Sequence, residues 1–267
     1  MKPVWLAGAG VLGPGLPDWN TTRDVLLGAA AYTDGPDPNP VPALLPANER
    51  RRASVPARWA LTVGGEALAG SGFEPENVAI VFTSCAGDST ITHQLCSGLA
   101  AQPPEMSPTR FHNSVHNAPA GYWSIFARSR APSSTLCGFD ASFSAGLLEA
   151  ATQAAVEQLP VLLVAYDLPA PDPLRALWPV SRAFAAALLL SPAPPPAGET
   201  YGTCGMRLEI GLADGDARSA WPAMLPPDLS TNPAAQALAV LWAVAHGGGR
   251  AELQYLRNSH LAVEISP

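Results

Sequence analysis

The stretch of residues 132–157, PSSTLCGFDASFSAGLLEAATQAAVE, limits the possible folds of this chain most strongly. It opens with a short apolar and β-branched run, and Gly138 then marks a turn. From Ser142 onward the apolar residues recur at helical spacing. These residues are Phe143, Leu147, Ala151 and Ala155, with Leu148 beside them. The stretch therefore predicts a buried strand that enters a helix through a tight turn.

A turn of this kind is a favourable place for chemistry. A helix entered directly from a strand points its first unpaired N–H groups, and the positive end of its dipole, at the turn. Those groups can stabilise a thiolate or an oxyanion, so enzymes often place a nucleophile there. The turn is therefore the first candidate site in the chain.

The letters DASFSAGLLEAA, residues 140–151, resemble the β-ketoacyl synthases of the thiolase-like fold. In that family a nucleophilic cysteine sits on such a turn and is followed by small residues and an alanine-rich helix. The resemblance puts the cysteine position at Ala141, and neither Asp140 nor Ser142 beside it is a cysteine. It therefore implies a ketosynthase relative that has lost its nucleophile, with no catalytic residue of its own.

The same resemblance implies the fold. We expect an α/β protein with thiolase-like α/β/α layers, a mixed five-stranded sheet and a shortened second half. The chain would form one ketosynthase-like domain, 1–267, with an N-terminal half at 1–168 and an abbreviated C-terminal half at 169–267. Catalytic relatives carry two histidines in the second half, in an HGTGT-like motif and before a Gly-Phe-Gly-Gly-like strand. Neither motif occurs here.

A narrower resemblance comes from the segment SVHNAPAGYWSI, residues 114–125. Together with the arginine-containing segment at 50–52, it is similar to the short chain-length-factor subunits of aryl polyene pathways. The matching positions are His112, His116, Asn117 and Gly121. This implies a non-catalytic subunit that pairs with an active β-ketoacyl synthase in polyketide, aryl polyene or fatty-acid-like synthesis.

The resemblance also implies which residues meet the partner. In this fold the strand before the nucleophile turn pairs with its counterpart across a two-fold axis, which buries a free sheet edge. Here that strand contains Ser133, Ser134, Thr135, Leu136 and Cys137. Bulky residues would then close the acyl tunnel of the partner. Phe111, Phe139 and Phe143 are candidates for this lining, and the alternative for each is an ordinary core aromatic.

Three consecutive arginines, Arg50, Arg51 and Arg52, precede a helix predicted from about Pro56. They are interpreted either as a solvated approach to that helix or as a docking site for an acidic acyl carrier protein.

Cys85 supports an alternative function. It follows the predicted strand 77–83, and with His112 or His116 it would form a dyad for a free-standing acyl-thioester transferase or hydrolase. A cysteine in such a run is otherwise a small buried residue. The same two histidines have the spacing of metal ligands, but no carboxylate accompanies them except Glu105, so we expect no metal.

A serine hydrolase is a further alternative, with Ser142 or Ser144 at the turn and His246-Gly-Gly-Gly as an oxyanion loop. The GxSxG pattern that such enzymes require is missing. A histidine and glycine after a helix are also typical of helix termination.

The letters GAGVLG, residues 8–13, match a dinucleotide-binding fingerprint. Pro14 and Pro17 stand where the phosphate-binding helix would run, and no strand with a terminal acidic residue follows at the required distance. We therefore expect no nucleotide and no other cofactor.

Composition excludes several classes of function. Of the 267 residues, 48% are hydrophobic and 14% are charged, which indicates that a partner covers part of the surface. The net charge is −7 and the only lysine is Lys2, which argues against nucleic-acid binding and a P-loop. No apolar run reaches membrane-spanning length, and the start of the chain is too broken by glycine and proline for a signal peptide. The four cysteines (Cys85, Cys96, Cys137 and Cys204) lack CxxC spacing, so we expect a cytoplasmic protein with free thiols.

Pattern and propensity predict the remaining elements. Strands are expected at 4–7, 77–83, 160–167, 206–212, 252–256 and 260–265. The run 181–190 is a strand or a buried helix by periodicity, and the resemblance to the thiolase-like fold implies a strand. Helices are expected at 18–27, from 56, around 91–99 and after the Asn232-Pro233 start signal. Prolines at 36–46 and 192–196 predict irregular segments.

Overall fold

The computed structural model describes residues 2–43, 45–195, 205–217 and 221–267. Its strands are β1 (Val4–Leu12), β2 (Ala79–Thr83), β3 (Ser133–Leu136), β4 (Val161–Asp167), β5 (Phe184–Ser191), β6 (Met206–Asp214), β7 (Gly249–Leu256) and β8 (Ser259–Ser266). Its α-helices are α1 (Trp19–Leu26), α2 (Ala47–Arg52), α3 (Val55–Leu68), α4 (Ser89–Ala100), α5 (Pro108–Asn113), α6 (Ala118–Phe126), α7 (Ser142–Glu157) and α8 (Ala237–Ala245). Cys204 and Pro196 lie outside the described residues.

Within the described residues, all eight strands belong to one sheet, in the order β3-β2-β4-β5-β1-β6-β8-β7. Strands β3, β2 and β4 run parallel, whereas every other neighbouring pair is antiparallel. The predicted mixed α/β fold is therefore confirmed. The sheet has eight strands rather than five because β6, β8 and β7 continue it beyond β1.

Strand β5 is fully buried along its length and pairs with β4 on one side and β1 on the other. Its sequence, FAAALLLS, is a continuous apolar run because helices cover both faces of the sheet at this point. The predicted strand at 181–190 is confirmed, with bounds shifted by three residues at its start.

Helices cover the sheet on two sides and make the expected α/β/α layers. On one side α3 and α6 pack Trp59 and Trp123 against the sheet. On the other side α7, α8 and α1 pack residues such as Leu147 and Leu241. Helix α7 is rich in alanine on its buried side, so it can approach the sheet closely.

The first strand is longer than predicted, since it continues through the glycine-rich segment to Leu12. A Cβ atom on Gly8 would lie 2.0 Å from the carbonyl oxygen of Ala67, and one on Gly10 would lie 2.2 Å from that of Val63. These glycines therefore let α3 lie directly against β1. The fingerprint letters form a strand under a helix and not a phosphate-binding turn.

Strands β6, β8 and β7 bury one face under α8 and expose the other. The exposed face carries ion pairs, in which Arg250 contacts Glu252 at 3.2 Å and Glu264 at 3.0 Å, while Arg207 pairs with Glu209. The hairpin predicted from 252–256 and 260–265 is confirmed as β7 and β8.

Asn232 starts the predicted C-terminal helix by accepting a 2.9 Å hydrogen bond from the Ala234 nitrogen. One 3-10 turn, Pro233–Gln236, precedes α8. Within the described ranges, no helix is both long and apolar enough to cross a membrane.

Candidate functional site

The turn between β3 and α7 is fixed by hydrogen bonds from its own residues. The Ser142 hydroxyl donates to the Phe139 carbonyl at 2.7 Å and accepts from the Gly138 nitrogen at 3.0 Å. The Thr83 hydroxyl on β2 donates to the Ser142 carbonyl at 2.7 Å. The predicted strand, turn and helix are therefore present, with one 3-10 turn (Phe139–Ala141) between them.

Ala141 occupies the cap position of α7 and has no side-chain group that could cap the helix. It stands where the positive end of a 16-residue helix begins. A methyl group there cannot attack a thioester, donate a proton or carry an acyl chain. The assignment of Ala141 to the nucleophile position of relatives remains a prediction.

The two serines of this helix have structural partners. Ser142 closes the turn, and the Ser144 hydroxyl donates to the Gln254 carbonyl at 2.6 Å and lies 3.2 Å from Gln236 Oε1. His246 ends α8, stacks on Trp242 at 4.0 Å and bonds to its carbonyl at 2.9 Å through Nδ1. Ser142, Ser144 and His246, which resemble parts of a serine hydrolase in the sequence, therefore make contacts that stabilise a turn and two helices.

Cys85 lies at the end of β2 and is buried. Its backbone nitrogen donates to Asp167 Oδ1 at 2.8 Å, and the Ser84 hydroxyl donates to the same oxygen at 2.8 Å. Burial raises the pKa of the Cys85 thiol, and the neighbouring Asp167 raises it further. Burial also raises the pKa of Asp167, to about 6. This environment keeps the thiol protonated, whereas a nucleophile needs the thiolate.

The two histidines proposed as partners of Cys85 are engaged elsewhere. His116 Nε2 lies 3.3 Å from the Ser84 carbonyl, and burial lowers its pKa. His112 packs edge-on against Tyr122 with ring centres 6.3 Å apart. Among the described hydrogen bonds, neither ring is joined to Cys85. These contacts and the raised pKa of the thiol argue against the dyad, which stays an untested alternative.

The rest of the predicted motif lies at the start and on the open side of α6, and its role remains a prediction. Asn117 caps α6 through its backbone, and Gly121 lies on the open side of that helix, where an added Cβ atom would have nothing within 4 Å. Asn113 joins three elements, because it donates to the Arg52 carbonyl at 2.8 Å and accepts from the Tyr122 hydroxyl at 2.9 Å. In the described residues, no group of His, Cys, Asp and Glu side chains is arranged to hold a metal ion.

The three candidate tunnel-lining phenylalanines lie in different environments. Phe143 is 1% exposed and packs in the core under α7. Phe111 on α5 is 58% exposed, and Phe139 in the turn is 66% exposed. The structure therefore assigns a packing role to Phe143, whereas Phe111 and Phe139 remain available to a partner.

The predicted interface strand, β3, lies at one end of the sheet. The Ile80 nitrogen donates to the Pro132 carbonyl and the Ser84 nitrogen to the Leu136 carbonyl, so even-numbered residues of β3 face β2. Since strand residues alternate, Ser133 and Thr135 direct their backbone N–H and C=O groups toward the free edge. Ser133 and Cys137 are exposed, and Ser134, Thr135 and Leu136 are half-buried.

A cleft of about 490 Å³ opens beside the turn. Its lining includes Asp140, Trp221, Gln236, Glu252 and Gln254. Gln236 Nε2 donates to the Asp140 carbonyl at 2.5 Å, which ties the turn to the C-terminal elements. Within the described residues, no cysteine or histidine lines the cleft. Sequence reasoning missed both glutamines, since neither belongs to a local pattern.

Solved structures with this fold include three complexes that match nearly the whole chain. The first is described as "Ketosynthase (ApeO) in Complex with its Chain Length Factor (ApeC) from Xenorhabdus doucetiae", with a TM-score of 0.72 and 24% identity over 99% of this chain and 100% of that chain. "The ishigamide ketosynthase/chain length factor" matches with a TM-score of 0.72 and 11% identity over 99% of both chains. "AntDE:AntF (apo): type II PKS acyl-carrier protein in complex with its ketosynthase bound to the hexaketide" matches with a TM-score of 0.73 and 12% identity over 99% of both chains. At these identities the likeness establishes the fold.

No curated protein is similar enough to this chain to count as a match. The family model described as "Beta-ketoacyl synthase, N-terminal domain" covers residues 27–225, well over half of the chain. The chain therefore belongs to the β-ketoacyl synthase family.

Proposed function

We propose that this chain is a non-catalytic, chain-length-factor-like subunit that pairs with an active β-ketoacyl synthase in a cytoplasmic complex. The observation that carries the proposal is the outer edge of β3, with which no other strand of the described residues pairs. This strand leads into the turn at Ala141, the position that we predict to correspond to the nucleophile of relatives. A ketosynthase-fold chain without a nucleophile at that turn would contribute to synthesis through what it binds. An unpaired parallel strand is a ready template for another chain.

The comparisons support this role at the level of fold. Each of the three solved structures named above contains a ketosynthase, and two of them pair it with a chain length factor. The match covers 99% of this chain and 100% of the matched chain, which supports a subunit of this length in such a complex. The reaction served would be polyketide, aryl polyene or fatty-acid-like synthesis, in which this subunit shapes the acyl tunnel of its partner.

The proposal also assigns a role to the arginines of α2. On this six-residue helix Arg51 and Arg52 are exposed, Arg50 is half-buried, and Arg52 lies 3.6 Å from Glu49. Asn113 holds α5 against this helix, which brings Arg110 to the same part of the surface. We expect this positive patch on an otherwise acidic protein to attract an acidic acyl carrier protein.

The test is co-expression with the catalytic ketosynthases of the same genome, followed by size-exclusion chromatography with light scattering. We expect a stable one-to-one complex. Thr135→Pro removes an outward-facing N–H group without touching a β2–β3 hydrogen bond, so it should reduce complex recovery by about tenfold or more. Thr135→Val keeps the N–H group and should pair normally. The proposal fails if no ketosynthase binds, or if the isolated chain condenses acyl and malonyl thioesters.

A further inference from the structure

Phe139 has an unusual backbone conformation for an aromatic residue. Its φ angle is +50°, in the left-handed region that favours glycine. The preceding residue is a glycine, Gly138, but it has φ −126° and does not use that freedom. The chain therefore places its bulky residue at the strained position of the turn and its permissive residue beside it.

The turn leaves this residue little alternative. Ser142 binds both the Phe139 carbonyl and the Gly138 nitrogen, and Gln236 holds the Asp140 carbonyl from the other side. The ring is consequently held in solvent at 66% exposure, although Phe143, four residues later, is buried in the core. The strain reduces the stability of the isolated chain, and the exposed ring contributes little burial to offset it.

Phe139 also lies close in sequence to the outer strand β3, in the 3-10 turn that follows it. It lies three residues after Leu136, the last residue of β3, and the chain between them contains only Cys137 and Gly138. Residues 133–139 carry no charge. The surface thus combines outward backbone groups at Ser133 and Thr135 with one aromatic side chain at the end. It fits a partner that offers an edge strand and an uncharged apolar pocket.

We propose that Phe139 is the apolar anchor of this interface, inserted into a pocket of the catalytic ketosynthase subunit. This inference rests on the proposed function, because it names the residue that secures the same pairing. The shape of that pocket determines which ketosynthase binds. The strained turn keeps the Phe139 ring out of this chain's own core, so the ring is exposed for contact with the partner.

Two substitutions at Phe139 separate the ring from the strain. Phe139→Gly removes both, so we expect the melting temperature of the isolated chain to rise by about 2 to 4 °C while affinity for the ketosynthase falls by about tenfold or more. Phe139→Ala removes the ring and keeps the left-handed residue. It should lose as much affinity without the gain in melting temperature.

Leu212→Ala is the matched control. Leu212 is 62% exposed on β6, five strands away from β3 in the sheet, so its loss should leave ketosynthase affinity unchanged. Affinity is measured by biolayer interferometry and self-association by analytical ultracentrifugation. Wild-type affinity in both Phe139 variants would overturn the anchor while leaving the pairing intact. Failure of the wild-type chain to bind any ketosynthase would overturn the proposed function instead. A change in self-association alone would show that the ring binds a second copy, which also overturns the inference.

Discussion

Asp167 Oδ1 lies 2.8 Å from the Cys85 nitrogen and accepts its hydrogen bond, which joins the carboxyl ends of the parallel strands β4 and β2. Burial raises the pKa of the Cys85 thiol, and the same carboxylate raises it further. The cysteine of the alternative thioester-enzyme hypothesis is therefore surrounded by groups that keep it protonated.

We expect iodoacetamide at pH 7.5 to label Cys96 and Cys137 and to leave Cys85 at least about 100-fold slower in the native protein. Cys96 and Cys137 are exposed, whereas Cys85 is buried with a raised pKa. Labelling is read peptide by peptide by mass spectrometry. In denaturant the three thiols should react at similar rates. Preferential labelling of native Cys85 would instead support a thioester enzyme.

Glu66 predicts a pH dependence of stability. Its two carboxylate oxygens accept hydrogen bonds from the Val11 nitrogen at 2.9 Å and the Trp19 nitrogen at 2.6 Å, and burial raises its pKa to about 7 from 4.5. Because the folded state binds the proton more tightly, this group makes the free energy of unfolding fall as pH rises from 4.5 to 7. We expect a loss of about 2 kcal/mol over that range, after allowing for partial exposure of the carboxyl group.

The check is urea denaturation at several pH values in wild type and Glu66→Gln. Glutamine does not titrate, so the variant should show a flatter pH profile over the same range. Glu66→Ala leaves both backbone N–H groups without their acceptor and should lower stability by about 2 to 4 kcal/mol at pH 7. Parallel profiles in wild type and Glu66→Gln would contradict the assignment.

Gly10→Ala tests the close approach of α3 to β1. The new Cβ would lie 2.2 Å from the Val63 carbonyl, so we expect a loss of about 3 kcal/mol or more in chemical denaturation. Gly121→Ala is the matched control, because nothing lies within 4 Å of its Cβ position on α6. It should raise stability by up to about 1 kcal/mol. An unchanged free energy of unfolding in Gly10→Ala would mean that α3 can move away from β1.

The contacts of Arg182 with Asp34 and Asp228 predict that substitution of Arg182 loosens the chain near Asp34. Its guanidinium contacts both oxygens of Asp228 at 2.8 and 2.9 Å and Asp34 at 2.7 Å, and it lowers the pKa of Asp34 to about 2. Lysine cannot hold both carboxylates through a planar fork. Arg182→Lys should therefore increase hydrogen exchange at residues 31–35, whereas Arg250→Lys on the outer face of β7 should not. Equal hydrogen exchange at residues 31–35 in the two variants would contradict this role of Arg182.

Local pattern was sufficient for much of the fold. The strand, turn and helix around Gly138 follow from periodicity, and the layered sheet follows from the resemblance that the same residues carry. The apolar run of β5 did not by itself distinguish strand from helix. Its assignment as strand depended on the family, since a strand buried on both faces loses the alternation that marks a half-exposed one.

The parts that sequence missed depend on residues far apart in the chain. In the sequence, the glycines of β1 are typical of a loop. Their packing role is visible only in the structure, where α3, more than 50 residues later, lies against them. Ser144 is satisfied by Gln236 and Gln254, about a hundred residues away, and no local spacing links them. The left-handed turn at Phe139 was equally hidden, because propensity assigns such a conformation to the glycine beside it.

The central position of β5 bears on how this protein is made. Strand β1 leaves the ribosome well before its partner β5, which lies about 170 residues behind it. At ordinary rates of translation that gap lasts roughly 10 to 35 seconds. During that interval the apolar strand β1 cannot yet pair with β5. We therefore expect chaperones to protect the segment that contains β1 during synthesis.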